Sequence, residues 1–166
     1  MTTSAQILPN LALPPIANPR VAVLAYDGLC TFEFGIATEI FGLPRPEMGP
    51  AWYRCATAAV DPGPMRAEGG LRIGCDGGLE LLLDAGLIVV PGWRGLDAPV
   101  PAGLIAALRA AHARGARLAS ICSGAFVLAA TGLLDGRRAV PHWRYAEALA
   151  MAVDIAEKDY KAVVVW

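Results

Sequence analysis

The chain has 166 residues, 55% hydrophobic and 17% charged, with a net charge of -1. That length and apolar content exclude a disordered chain and fit one domain with a sizeable core. With 14 basic against 15 acidic side chains, it carries no electrostatic footprint for nucleic acid or an anionic membrane surface.

Residues 1–19 hold Pro9, Pro14, Pro15 and Pro19 and no charged side chain, which predicts an irregular arm with no secretory signal. Arg20–Tyr26 is a short continuous apolar run ending at Asp27-Gly28, the pattern of a strand buried on both faces. Apolar groups at Phe32, Ile36, Ala37, Ile40 and Phe41 predict a helix that Leu43-Pro44 closes. Trp52–Val60 is the next strand candidate, and Leu71–Cys75 reads as part of a small hairpin or meander. Leu79–Leu83 is apolar but too short to assign. Leu87–Val90 is a buried strand running into Pro91-Gly92-Trp93-Arg94-Gly95.

Pro101–Arg114 predicts an amphipathic helix with proline in its first turn and Gly115 as its stop. Arg117–Ile121 is another strand, followed by Cys122-Ser123-Gly124 and a helix over Ala125–Ala130. His142–Ala150 is helical in pattern, with Pro141 in its first turn. The stretch without charge from Leu118 to Leu134 is too short and too interrupted to span a bilayer. Strands alternating with helices predict an α/β fold: a three-layer sandwich around a mostly parallel sheet. Ligands in such sheets bind where the strands end at their carboxyl termini, here residues 27–33, 91–95 and 122–124.

Cys122 carries the sharpest chemical signal. It stands at a strand-to-helix junction among Ser120, Ser123 and Gly124, the small neighbours that a cysteine nucleophile elbow requires. Amides of the following helix are expected to lower its pKa and to hold a developing oxyanion. The four cysteines (Cys30, Cys55, Cys75 and Cys122) have no CxxC spacing, so free thiols in a reducing cytoplasm are expected rather than disulfides or a zinc site. No phosphate-cradling glycine motif is present.

Four segments in order resemble the ThiJ/PfpI family of the class I glutamine amidotransferase-like superfamily. They are Leu87–Gly95, Ser120-Ile121-Cys122-Ser123-Gly124, Gly132–Arg138 and His142-Trp143. Tyr26–Gly35 and Phe41–Glu47 further resemble the N-terminal sensor domain of GlxA/FtrA-type AraC-family transcriptional regulators. The resemblance implies a flavodoxin-like fold over residues 20–150. It makes Cys122 the elbow cysteine and Glu33 the acid that bonds this thiol or shuttles its proton. It places amides near Gly92, Trp93 and Ser123 around an oxyanion pocket and His142 beside the cysteine. It also puts Ser123 where isonitrile-hydratase-like relatives carry a catalytic hydroxyl. Plainer readings stay open at this point: Glu33 as a solvated acid in a helix's first turn, His142 as an exposed helix-start residue, Trp93 as loop packing that narrows any pocket. Cys30, three residues before Glu33, falls within reach of Cys122, and an unreactive thiol is the favoured reading for it.

No metal or cofactor is expected, and the expected partners are a small-molecule ligand and a second copy in a homodimer. Residues 151–166 do not align with the family's continuation, and this divergent tail holds the chain's two lysines, Lys158 and Lys161. Its last residues, Asp159–Trp166, have strand character, and either an altered C-terminus or a compact variant accounts for it. One sheet face is expected to be partly uncovered, which favours dimerisation or poor solubility. Three functions follow. The first is a ligand-sensing domain of an AraC-type regulator without its helix-turn-helix module, so that this chain alone does not bind DNA. The second is a cysteine-dependent hydratase or small-amide hydrolase using Cys122 and Glu33, and the third is a redox-responsive thiol at Cys122.

Overall fold

The computed structural model describes residues 17–137, 139, 144, 146–152 and 164–165. Its main sheet contains β1 (Arg20–Ala25), β2 (Arg54–Ala59), β5 (Leu87–Pro91), β6 (Arg117–Ile121) and β7 (Val164–Val165), in the order β2-β1-β5-β6-β7. The first four are parallel, and β7 joins β6 antiparallel through Leu118–Val165 and Ala119–Val164. A separate antiparallel hairpin pairs β3 (Met65–Arg66) with β4 (Arg72–Ile73). The helices are α1 (Thr31–Gly42), α2 (Ala102–Ala113), α3 (Ala125–Ala130) and α4 (Ala146–Ala152).

The side-chain period of a strand splits the core into two layers. From β1 and β5, Val21, Val23, Leu87 and Val89 pack with Ala37 of α1 on one side. Ala22, Leu24, Ile88 and Val90 face the opposite side, where Leu104, Leu108 and Ala111 of α2 and Val127 and Leu128 of α3 cover them. Leu24, Ile88, Leu108 and Leu118 are fully buried, each contributing on the order of 1.5–3 kcal/mol relative to exposure. This is the three-layer α/β sandwich with a mostly parallel sheet that the alternation of elements predicts.

Some boundaries differ for local reasons. Pro101 lies just outside α2 as its N-cap, with extended ψ of 135°, because proline there restricts only what precedes the helix. Leu79–Asp84, unassigned from sequence, forms a 3-10 helix that packs on α2 and buries Leu82. The predicted 52–60 strand keeps only Arg54–Ala59, since Trp52 and Tyr53 instead stack edge to face, next to Phe41. Of the predicted 142–150 helix, Ala146–Ala152 is described, while its start, including Pro141 and His142, lies outside the described residues.

Chain order turns the sheet around between β1 and β5: the chain moves outward to β2, then returns to the other side of β1. That reversal leaves a crevice at the carboxyl ends of β1 and β5, where parallel sheets bind ligands. Glu33 follows β1, Gly92 and Trp93 follow β5, and Cys122 follows β6.

Candidate functional site

Cys122 follows β6 directly and opens a single 3-10 turn, Cys122–Gly124, before α3. Its φ of +55° makes it the one non-glycine residue with positive φ among the described residues. An L residue in that region costs on the order of 1–2 kcal/mol, so packing must hold the turn in place. Gly124 makes the packing possible. A Cβ there would lie 2.3 Å from the Val90 carbonyl oxygen and 3.2 Å from the Gly92 nitrogen, so only glycine lets the turn rest on the end of β5.

The loop after β5 is held by interactions that sequence spacing does not reveal. Gly92 takes φ +70°, and its N–H donates to the Ile121 carbonyl at 3.0 Å. The Trp93 N–H donates to Ser123 Oγ at 2.9 Å, and the Ser123 hydroxyl donates in turn to the Trp93 carbonyl at 3.2 Å. Trp93 is buried, with its indole N–H on the Ala98 carbonyl and its ring 4.8 Å from that of Tyr26. The Tyr26 hydroxyl donates to the Pro91 carbonyl at 2.9 Å, and burial pushes its pKa far up, so it stays protonated.

Arg94 closes the arrangement. Its guanidinium lies 4.9 Å from the Trp93 ring centroid and 5.3 Å from that of Tyr26, and it pairs with the Asp61 carboxylate. Asp61 also accepts the Asp27 N–H at 2.8 Å, so one carboxylate ties the loops after β1, β2 and β5 together. Asp61 looks in sequence like an ordinary turn residue before Pro62-Gly63. Its partner lies 33 positions away, and no local signal marks the pairing.

Glu33 sits in the first turn of α1, and its Oε2 is buried with no hydrogen-bond partner among the described residues. One of its two carboxylate oxygens is thus shielded from solvent. Its charge acts on two thiols, Cys30 and Cys122. Hydrogen bonding to Glu33 is the largest influence raising the pKa of Cys30, followed by burial. For Cys122, burial leads, and the charge and hydrogen bonding of Glu33 add to it, while only the Ser123 N–H pulls the other way. The thiol is thus held above its ordinary value, which corrects the expectation of a lowered pKa. One 3-10 turn supplies a single amide to the sulfur, too little to outweigh desolvation beside a carboxylate.

The structure brings Cys122, Glu33, Gly92, Trp93 and Ser123 together at one edge of the sheet, with Cys30 added. His142 lies outside the described residues. Of the amides near Gly92, Trp93 and Ser123, that of Gly92 donates to β6 and that of Trp93 to the Ser123 hydroxyl, while that of Ser123 acts on the Cys122 sulfur. All four cysteines are free thiols. Among the described residues no cluster of three or more His, Cys, Asp or Glu side chains could hold a metal ion, and no helix is long and apolar enough to cross a membrane.

Comparison with known proteins gives these residues a context. The profile of the DJ-1/PfpI family matches residues 19–165, running past Ala150 to β7. An uncharacterized protein in the cpoL 5' region of Streptomyces lividans is 36% identical over 132 residues, covering 79% of this chain and 92% of that one. The HTH-type transcriptional regulator CdhR of Pseudomonas aeruginosa is 42% identical over 109 residues, covering 65% of this chain but only 30% of the regulator. A ThiJ/PfpI family protein from Pseudomonas syringae superposes with a TM-score of 0.71 at 24% identity, covering 94% of this chain and 65% of that structure. A shorter likeness, 40% over 52 residues, links 31% of this chain to 23% of the isonitrile hydratase of Pseudomonas putida.

Proposed function

Because the chain belongs to the DJ-1/PfpI family, we propose that it is the ligand-sensing domain of an AraC-type transcriptional regulator. The observation that carries this reading is the 42% identity with the CdhR regulator, of which the chain spans 30%. The site agrees with it. A thiol held protonated, and two amides engaged within the protein, suit a packed recognition site better than a nucleophile awaiting substrate.

In this reading a small molecule enters the crevice at Cys122, Glu33 and Trp93, with Ser123 fixing the Trp93 loop and His142 contributing from the next segment. Trp93 and Tyr26 narrow the space and select a small ligand. The chain works in the cytoplasm without cofactor or metal, and it does not bind DNA by itself, in keeping with its net charge of -1. It forms a homodimer, which the exposure of Phe32 and Ile40 on α1 and of Leu43 just after it supports.

The test is a thermal-shift panel of small molecules on the purified chain. A ligand at a hundred times its Kd stabilises by about 2.7 kcal/mol, a rise in Tm of roughly 5–11 °C for a domain of this size. The partial likeness to isonitrile hydratase favours the alternative, a cysteine-dependent hydratase or amide hydrolase using Cys122 and Glu33. Turnover of an isonitrile or small amide that disappears in Cys122→Ser would replace the sensing reading with that one. Retarded migration of duplex DNA at physiological salt would overturn the claim about DNA.

A further inference from the structure

The end of the sheet opposite the Cys122 crevice carries a second cleft, with a volume of about 510 Å³. Sites for small molecules run from about 300 to 1,000 Å³. Its walls are the chain entering three strands: Asn18 and Arg20 at the start of β1, Leu83 and Asp84 before β5, and Arg114 and Ala116 before β6. Hydrogen bonds fix these walls to one another. Asn18 Nδ2 donates to the Asp84 carbonyl at 3.0 Å, and Asn18 Oδ1 accepts the Arg20 N–H at 3.1 Å. The Gly86 N–H donates to the Arg20 carbonyl at 2.9 Å, and the Arg117 N–H to the Gly86 carbonyl at 3.0 Å. A Cβ at Gly86 would run into the Asn18 carbonyl oxygen, so glycine is what lets the chain before β1 close against β5.

The cleft is positively charged, and most of that charge is unspent. Arg20 pairs with Asp84 at 3.4 Å, and Asp84 is the one acid among the lining residues. Arg114 is the C-cap residue of α2, where a cation commonly serves the last carbonyls of a helix. Here those carbonyls are already taken: Ala110, Ala111 and His112 accept the backbone N–H groups of Arg114, Gly115 and Ala116. The Arg114 guanidinium is exposed and has no side-chain partner among the described residues. Arg54 opens β2 in register with Arg20, so the two arginines start neighbouring parallel strands on the same face of the sheet. It too has no side-chain partner among the described residues.

We propose that this cleft is a second ligand site, for the phosphate monoester of a compact small molecule. Three arginines against one aspartate leave an excess of two positive charges, which a phosphoryl group of about -1.5 to -2 at pH 7 matches. Guanidinium presents paired N–H donors in the geometry of phosphate oxygens, and Arg20 and Arg114 reach the group from two different walls. Leu83 and Ala116 offer apolar surface to the body that carries the phosphate. A phosphoryl group concentrates its charge where both arginines meet it, whereas a dicarboxylate of the same charge divides it between two ends. The site lies at the other end of the sheet from Cys122 and does not depend on the sensing reading.

The test is a nuclear magnetic resonance titration of the isotope-labelled full chain with glycerol 3-phosphate, up to about 20 mM at constant ionic strength. The expected result is saturable shifts at the amides of Gly86, Gly115 and Ala116, with those of Gly92, Trp93 and Gly124 unmoved. Arg114→Gln and Arg54→Gln should each weaken binding, the former by about tenfold. Arg72→Gln, which removes the same charge from an exposed position on β4, should leave it within about twofold. Succinate, a dianion of similar size, should bind at least about tenfold more weakly. No saturable shift, an equal loss in Arg72→Gln, or unchanged affinity in Arg114→Gln overturns the proposal. So do shifts centred on Trp93 and Gly124, which would put the phosphate in the Cys122 crevice, and succinate binding as tight as that of the phosphate ester.

Discussion

Substituting alanine at Gly124 sets two opposed effects against each other at one position. Its backbone is helical, with φ -58° and ψ -20°, so the added methyl reduces the freedom of the unfolded chain. In open space that exchange stabilises by about 0.4–1 kcal/mol. Here the Cβ would stand 2.3 Å from the Val90 oxygen, against the 3.0 Å below which Cβ contacts essentially do not occur, and the Val90 carbon follows at 3.1 Å. Those atoms belong to β5, which is paired on both sides to β1 and β6 and cannot yield alone. Overpacking of this kind costs about 1–3 kcal/mol. The clash wins, and the net loss is about 1–2 kcal/mol, or roughly 2–8 °C in Tm. Gly103 is the control: it lies in the first turn of α2, and a Cβ there meets nothing within 4 Å. Gly103→Ala is therefore expected to stabilise by roughly 0.5 kcal/mol. Urea denaturation followed by circular dichroism measures both. A Gly124→Ala protein as stable as the parent, or shifts of one sign in the two variants, would refute the argument from close approach.

Ser123→Ala leaves the Trp93 N–H without its acceptor and is expected to cost about 1–3 kcal/mol, with a red-shifted tryptophan emission; a urea midpoint and spectrum equal to the parent's would show that the hydroxyl does not hold this loop. Glu33→Gln removes the carboxylate charge that raises the pKa of both neighbouring thiols, so their pKa values fall. Iodoacetamide at pH 8 should then alkylate Cys30 and Cys122 faster, with Cys55 unaffected, and unchanged rates would contradict the placement of Glu33 between them. The thiols of Cys30, Cys55, Cys75 and Cys122 are all held above their ordinary value. A group whose folded pKa is raised contributes stability below its unfolded pKa and loses it as pH rises toward the folded one. The urea midpoint should therefore fall between pH 8 and pH 10, and a flat profile would mean that the folded protein does not favour the thiol form.

Much of the architecture is legible in the order of residues. Continuous apolar runs such as Val21–Leu24 and Leu87–Val90 state that strands are buried on both faces, and helical spacing from Phe32 to Phe41 states what lies between them. Small residues around Cys122 mark a tight strand-to-helix turn, and the strained φ of that cysteine is its structural counterpart. These are local signals: periodicity and side-chain size act over a few residues, and a linear pattern records them. The 3-10 helix at Leu79–Asp84 left no such record, because it is held by its packing on α2 and not by a period of its own.

What the tertiary structure alone decided is the chemical character of the site. The sequence by itself placed Cys122, Glu33, Gly92, Trp93 and Ser123 after the ends of strands, and so at one edge of the molecule. It did not say that the amides of Gly92 and Trp93 are taken by Ile121 and Ser123, or that Asp61 joins three loops through Arg94. Nor did it say which way the thiol pKa moves. A helix-start amide and a nearby carboxylate pull in opposite directions, and the outcome depends on burial and on the orientation of groups far apart in the chain. Hydrogen bonds and desolvation are sums over neighbours in space. For this protein those neighbours are assembled only when the reversal between β1 and β5 brings the ends of three strands to the same crevice.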